Sequence, residues 1–539
     1  MKRTSSRRST LRDRIDAIRE DSNLRGYARW REIGDLVLAD LKRGGKFFNT
    51  QQGLFYFEAE SRRAFPLSEQ DMEFAALVNR QYGINPKEHC FKLVLANLQS
   101  EAIMHGEKIE ARRLAHYDRQ SNQLYVSRFD GNVYCLDGTK VAPVENGRDK
   151  VFFFDDLTLW EPYRYIPDAP KGDLDRQIIE SVNFVDSHLS VREQQLLLKI
   201  WLLAVFFGNV QPTKIILLLL GEHGSGKTSA LRRIQKMIFG QKVNLLSIEK
   251  DKQDGFIATI TTDPIALFDN LDEHISWLPP ALSRLATGVT FSRRRLYTTN
   301  EKVEFPGVSW LGITSRTLTF MDRQPDLPDR TLVLKLERFP ERRPEEDLLS
   351  AVALRRNALW SELLDELNAV VRYMSEHPEP VPVTFRMADF AAFALKVATV
   401  WRCREEVCTA LAKMEEAQKW LLSEKDPVHQ ILERWLKIRD NRIRLVGAGE
   451  LYCEWNSLAD QEGVPWPYSS AKSLGLALTH LRPGLESRFG LEVTYDSHLK
   501  QNRYRFGRQP ESPQNSPSET DESRDALEEL AGFAGSSKP

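Results

Sequence analysis

Short apolar and aromatic runs of strand character dominate the stretch from 45 to about 156, with turn residues between them. Residues 46–48 and 53–57 form one such group, and 123–126 and 132–136 a second. Asp130-Gly131 and Asp137-Gly138 punctuate the second group, and Asp-Gly pairs supply the positive φ that tight hairpins need. A helical pair between 68 and 104 separates the groups, so residues 25–165 are expected to be a hairpin-rich α+β amino-terminal domain. Residues 166–172, with Pro167, Pro170 and Gly172, read as a linker. An apolar helix then starts at 191, and a β-rich apolar run at 214–220 enters a glycine-rich loop that an amphipathic run at 229–238 leaves. Strand-like runs at 243–248, 265–268, 308–314 and 331–336 follow, as in a parallel sheet with intervening helices. Helical residues 345–375 are expected to form a lid that closes a domain spanning 173–376. A proline-rich break at 376–382 leads to a helical connector, 383–426. The last module, 427–507, shows helical runs at 428–437, 449–462 and 469–481 and then strands at 491–496 and 502–506, a winged-helix-like order.

Composition narrows the class. A chain of 539 residues that is 41% hydrophobic can bury about three domains. Its net charge of −1 hides uneven ends. Arg3, Arg7, Arg8, Arg12, Arg14 and Arg19 make 1–24 a basic arm, and 508–539 are rich in Ser, Pro, Asp and Glu; both are expected to be disordered. Cys90, Cys135, Cys403, Cys408 and Cys453 are odd in number and scattered, which excludes a disulfide framework and a zinc ribbon and fits a reducing cytoplasm. The apolar stretch 196–208 contains Lys199 and is well short of the ~20 residues that span a bilayer, so no membrane partner is expected. No apolar h-region follows the amino-terminal arginines.

The chemistry concentrates at Gly221-Glu222-His223-Gly224-Ser225-Gly226-Lys227-Thr228, which meets every fixed position of the phosphate-binding G-x-x-x-x-G-K-[ST] pattern. Glycines let backbone amides surround an anionic phosphate, and the helix opening at Lys227, Thr228 and Ser229 adds partial positive charge. Lys227 would reach the β- and γ-phosphates of ATP and Thr228 would hold Mg²⁺. Downstream, 265–268 is an apolar strand ending in Asp269, placed to orient the same metal. Asn270 can orient an attacking water but cannot deprotonate it, and Asp272 or Glu273 would supply negative charge.

These residues resemble the ATPases of phages, plasmids and integrated elements in the poxvirus-type helicase–primase group of superfamily III, within the AAA+ class. The carriers are the loop at 221–228, Phe268-Asp269-Asn270, Leu285-Ala286-Thr287-Gly288, Arg294-Arg295-Leu296-Tyr297-Thr298 and Asp326-Leu327-Pro328-Asp329-Arg330. The likeness is strong over about 175–345 and weaker before it. It implies an α/β P-loop core and an ATP- and Mg²⁺-dependent DNA helicase or replication-initiation motor of a mobile element, assembled as a homo-hexamer on single-stranded or forked DNA. A hairpin of 293–298 and 302–305 would grip DNA through Lys302 and Arg294; its alternative is a solvated hairpin. Thr314 and Ser315 stand where a residue senses the γ-phosphate, although relatives usually have Asn there. Arg330, then Arg323, then Arg294 are the candidates for an arginine that reaches the neighbouring subunit's phosphate, the alternative for Arg330 being an intrachain pair with Asp326 or Asp329. A primase region is not evident, so primer synthesis would come from a separate protein.

In the carboxy-terminal module Ser470, Lys472 and Ser473 would open a major-groove helix, and Lys500, Arg503 and Arg505 would meet phosphates from the wing. A different class also fits the loop: a nucleotide-dependent scaffold or sensor ATPase, for instance in anti-phage defence, that assembles without unwinding DNA.

Overall fold

The computed structural model describes residues 3–507 apart from 156–158, 241–244, 295–301, 322–323, 325, 341–342, 422–426, 439–440, 442–443 and 465. Two compact units divide the chain, Met1–Gln418 and Lys419–Pro539.

The first unit opens on helices Arg3–Glu20 and Tyr27–Gly44. The basic arm is therefore a helix where disorder was expected. Ile15 is fully buried against Ile33, Phe74 and Phe91, and Arg19 bonds the Gly83 carbonyl and Glu88, so apolar positions spaced among the arginines anchor the segment. Strands Gly45–Thr50, Gly53–Glu58 and Arg63–Pro66 pair antiparallel, and Glu107–Lys108 joins the first of them in parallel. Helices Met72–Tyr82 and His89–His105 cover this sheet. Asp71 caps the first of the two by accepting from the Phe74 amide at 2.6 Å.

A second sheet, Ala115–Asp118, Gln123–Ser127, Asn132–Leu136 and Val141–Glu145, is an antiparallel meander. The alternation of its strands splits Leu124, Val126, Tyr134 and Leu136 from Tyr125, Val133 and Cys135. The first set is buried in one large core with the helices and strands around the glycine-rich loop, so the expected boundary at 165 does not separate two cores. The expected linker is likewise strapped down: the Ile166 amide donates to Ser361 Oγ at 2.8 Å, and the Gly172 and Leu174 amides donate to Glu362 at 2.7 and 2.9 Å.

The central sheet is parallel. Strands Ile216–Gly221, Ile265–Phe268, Trp310–Ser315 and Thr331–Leu336 stand with Trp310–Ser315 and Thr331–Leu336 on either side of Ile216–Gly221, and Ile265–Phe268 outermost. Leu246 bridges Phe268 beyond that edge, and this single bridge is what the described part of the expected strand at 243–248 contributes. Apolar runs such as Leu217-Leu218-Leu219 are buried on both faces, as strands of a covered parallel sheet must be. The chain order reverses around Ile216–Gly221, so its carboxyl end is the crevice where ligands of such sheets bind.

Helix Lys227–Phe239 leaves the loop and packs on Glu345–Glu376. Arg356, buried on the latter, donates to the Met237 and Ile238 carbonyls at 2.9 and 2.8 Å and so satisfies the end of the former; burial pushes its pKa down to about 10. The expected lid is thus fastened to the loop helix. Helices Ala388–Val400 and Arg404–Leu421, taken from sequence as a separate connector, join the same core through Phe390, Val397, Val407 and Leu411.

The second unit contains helices Pro427–Trp435, Ala448–Glu462 and Ala471–Phe489 with a sheet in which Gln501–Phe506 lies between Val446–Gly447 and Leu491–Asp496. Trp435, Trp455 and Phe506 meet at ring separations of 6.0–6.1 Å in its core. No described helix is long and apolar enough to cross a membrane.

Candidate functional site

At the carboxyl edge of the central sheet the loop turns on Gly224 (φ 79°) and Gly226 (φ 81°), a backbone that side-chain-bearing residues rarely adopt. A Cβ on Gly221 would stand 2.4 Å from the Leu336 carbonyl oxygen, so the loop also needs glycine for close approach to the neighbouring strand. Lys227 folds back into this turn, its Nζ donating to the Gly221 and Glu222 carbonyls at 2.7 and 2.9 Å and to Ser225 Oγ at 3.4 Å. Burial lowers its pKa, while Asp272, Asp269 and Glu222 pull it upward.

Asp269 follows its strand and sits opposite the loop. Its Oδ1 accepts from Thr228 Oγ1 at 2.8 Å and from Thr314 Oγ1 at 2.6 Å, and Thr314 Oγ1 in turn accepts from the Asn270 amide at 2.8 Å. Two sequence-predicted hydroxyls, one from the loop helix and one from strand Trp310–Ser315, therefore converge on one carboxylate oxygen. Asn270 takes φ 60°, which Asn tolerates better than most residues and which turns the chain away from the strand. Thr228 and Asp269 offer the hard oxygen donors that suit Mg²⁺. Among the described residues no group of three or more His, Cys, Asp or Glu could hold a metal, so an ion at this pair would complete its shell with water or with oxygens of a bound phosphate.

Around these atoms lies a cleft of about 1120 Å³ lined by His223 to Ser229, Asp269, Asn270 and Thr314. Its far wall comes from Arg176, Asn183 and Phe339. Asn183 is fixed there by bonds from its Nδ2 to the Glu337 and Arg338 carbonyls at 3.0 and 3.2 Å. Phe339 lies so close to the loop that a Cβ on Gly226 would meet its ring at 2.6 Å.

Ser315, expected beside Thr314 as a sensing residue, is fully buried and faces the other way. Its Oγ bonds the Leu271 carbonyl at 2.7 Å and Asp272 Oδ1 at 3.1 Å. Asp272 is ion-paired with Arg316, and Glu273 pairs with Lys250 at 2.9 Å on the surface; neither lines the cleft, so neither is placed beside a water at the phosphate.

Arg316 is among the cleft residues that the sequence reading missed, as are Arg176, Asn183 and Phe339. Asp272 accepts from its amide at 2.7 Å and from its Nε, and its NH1 stands 2.8 Å from Nε2 of His223 on the phosphate loop. Burial raises the Asp272 carboxyl, but the bonds from Arg316 and Ser315 outweigh this and hold its pKa below the ordinary value.

Of the predicted arginines, Arg330 does not line the cleft. Arg330 pairs with Asp326 and is 14% exposed, while Asp329 takes Arg386 at 2.6 Å, which is the intrachain arrangement left open as the alternative. Arg323 lies outside the described residues. Strands Phe291–Arg294 and Lys302–Phe305 pair antiparallel with Arg294 opposite Lys302, and the tip between them lies outside the described residues. In the second unit, Ser470 and Ser473 cap their own helix, the Ser473 amide donating to Ser470 Oγ at 3.2 Å, so these two hydroxyls are engaged within the chain. Lys472 and Lys500 are exposed. Arg503 donates to the Leu445 carbonyl at 2.6 Å and Arg505 pairs with Glu492 across the hairpin, which leaves Arg505 the more exposed of the two.

The site and sheet define a mixed α/β protein with a phosphate-loop cleft. Residues 177–414 match the family model of the actinomycete integrative conjugative element replication protein. No curated protein matches the chain. Among solved structures, the apo A form of the NrS-1 carboxy-terminal region is 11% identical, covering 87% of this chain and 98% of that one at a TM-score of 0.41. SCCmec type IV Cch, described as an active helicase, is 12% identical over 84% of this chain and 90% of that one at 0.42. The Aeropyrum pernix ORC1 protein in complex with DNA is 15% identical over 67% and 97% at 0.19. Likenesses of this size carry no argument here.

Proposed function

We propose that the protein is an ATP-driven DNA motor, a helicase or replication initiator of an integrated mobile element, with an AAA+/superfamily III-type core. The observation that carries this reading is the convergence of Thr228 and Thr314 on Asp269 at the open end of the sheet, beside Lys227. The family match over 177–414 supports the replication context. In this reading the loop amides and Lys227 bind the triphosphate, and Thr228 with Asp269 hold Mg²⁺, which when bound neutralises phosphate charge. Thr314 orients Asp269, and Asn270 orients the attacking water.

Arg316 is a cleft cation held beside the phosphate loop, with Arg176, Arg233 and Arg343 elsewhere on the same lining. Its guanidinium is held by Asp272 at the edge of the phosphate loop, within reach of charge that develops on the γ-phosphoryl oxygens. Arg316→Ala is expected to lower ATP turnover about tenfold to a hundredfold while nucleotide affinity changes little; steady-state kinetics together with nucleotide titration separates the two. Asp269→Asn keeps an oxygen for the two threonines but removes the charge that a metal needs. Turnover is expected to fall on the order of a hundredfold, with a higher Mg²⁺ requirement, and activity measured across a Mg²⁺ titration checks it.

Arg330, Arg323 and Arg294 stay candidates for the intersubunit arginine of a hexameric ring; Arg330 would first have to leave Asp326. Lys302 and Arg294 would track a DNA strand, and the second unit, with the helix order and sheet order of a winged helix, would present Lys472, Lys500, Arg503 and Arg505 to DNA. A single-stranded or forked DNA and a separate primase are the expected partners.

One observation favours the scaffold reading: of the two acidic residues after Asn270, Asp272 is tied up by Arg316 and Glu273 by Lys250, which suits slow hydrolysis. Strand displacement on a forked duplex separates the readings. Unwinding that Lys302→Ala abolishes supports the motor, and ATP-driven assembly without unwinding supports the scaffold.

A further inference from the structure

A second cavity, of about 290 Å³, lies within the first unit between the second sheet, the segment before the central strand and the root of the Phe291–Phe305 hairpin. It shares no lining residue with the phosphate-loop cleft. Arg112, Arg113 and Lys214 bring three cations to its wall, with Glu110 on the same wall, Asp263 3.7 Å from Arg113 and Asp389 acting on Lys214. Lys214 is 8% exposed, and burial pushes its pKa down to about 8 with partial compensation from Asp389. His116, also on the wall, is pushed to about 4 by burial and then by Arg112, so it is neutral near pH 7.

Several polar atoms here lack partners. Trp310, 1% exposed, has its indole Nε1 unbonded. Gln211, 3% exposed, donates to the Ala204 carbonyl at 3.3 Å but leaves Oε1 unpaired. Gln52 does the same, donating to the Thr261 carbonyl at 3.2 Å. Arg112 and Arg113 each leave a buried Nε unpaired. Buried polar atoms without partners are few in native proteins, and five lining one cavity call for a ligand with both acceptors and donors. Two of the three unpaired donors belong to guanidinium groups and Lys214 adds a third cation, so the ligand carries an anion. The volume stands at the low end of the ~300–1,000 Å³ of small-molecule pockets, which suits one nucleotide rather than an extended triphosphate. Gly288, Pro306, Gly307 and Val308 line the cavity on both flanks of the hairpin, so a bound group would sit at its base.

We propose that this cavity binds a phosphate-bearing nucleotide unit, with the phosphate on Lys214 and the two arginines and the polar edge of the base on Trp310, Gln211 and Gln52. The unit is either a free mononucleotide or one residue of a DNA strand passing the hairpin. Because the site is separate from the phosphate loop, its failure leaves the ATP reading untouched. The full chain, without ATP, is titrated with dTMP by calorimetry and with a fluorescein-labelled oligothymidylate of about 15 nucleotides, a length covering typical single-strand sites, by anisotropy. At least one probe is expected to bind, Lys214→Met is expected to weaken it about tenfold, and Lys227→Ala is expected to bind as the wild type does. Arg113→Gln, at a partly exposed position, repeats the test if Lys214→Met lowers the melting temperature. Displacement of the oligonucleotide by dTMP identifies a free nucleotide as the ligand, and binding of the oligonucleotide alone identifies the strand. Absence of binding by both probes, or binding unchanged in both variants, overturns the proposal.

Discussion

Lys227→Ala is expected to lower ATP turnover by about a hundredfold or more, read as phosphate release at saturating ATP and Mg²⁺. The lysine Nζ is held by two loop carbonyls and a serine hydroxyl at the mouth of the cleft, and no other lysine lines it among the described residues. Its ammonium is partly desolvated, so the charge has strong reason to move onto a phosphate when one arrives. Alanine removes that charge and leaves the Gly221 and Glu222 carbonyls without their donor, so the loop loses order as well as charge. Unchanged turnover would place hydrolysis outside this cleft.

Trp360→Ala is expected to cost about 3–5 kcal/mol of stability. The ring is fully buried on helix Glu345–Glu376, stacks on Tyr163 at 3.8 Å with planes 10° apart, and meets Phe129 and Phe206 edge-on at 6.1 and 5.7 Å. One side chain thereby joins the expected lid, the end of the expected amino-terminal domain, the turn of the second sheet and the segment before the phosphate loop. Urea unfolding should show a lower midpoint in a single transition for these elements. Two separate transitions, with only the amino-terminal one shifted, would show that the second sheet and the central sheet do not share a cooperative core.

The core strands were legible because their signals are local. The run 331–336 is apolar enough to be buried on both faces, and 265–268 ends in an acid at the register where parallel strands open onto a ligand. Phosphate-loop spacing placed Lys227 and Thr228, and the strand end placed Asp269, so the three residues that meet in the cleft could be named beforehand. Arg316 was missed because its value comes from a turn: the chain doubles back after Ser315 so that Asp272 can hold the guanidinium against His223, and nothing in the run itself encodes that fold-back. The amino-terminal arm was misjudged from composition alone. Six arginines in the first nineteen residues mask apolar positions such as Ile15, whose burial depends on distant partners Phe74 and Phe91. Domain boundaries failed for a similar reason. Residues 166–172 have the composition of a linker, but their amides are taken up by Ser361 and Glu362, nearly two hundred residues away, a pairing that no local pattern announces.

Arg330 shows how a positional expectation and a local contact compete. It stands directly before the closing strand, where a neighbouring subunit's phosphate would be reached, and the acid four residues earlier satisfies it within its own chain. An assembled ring would have to draw Arg330 from Asp326, whereas Lys227, Thr228 and Asp269 already occupy their positions.

ATP-dependent strand displacement on a forked duplex tests the account most directly. The wild-type chain is predicted to release the displaced strand only with ATP and Mg²⁺, and Lys227→Ala is predicted to release none while still binding the fork. ATP turnover that ignores DNA, together with no displaced strand at any protein concentration, would contradict it.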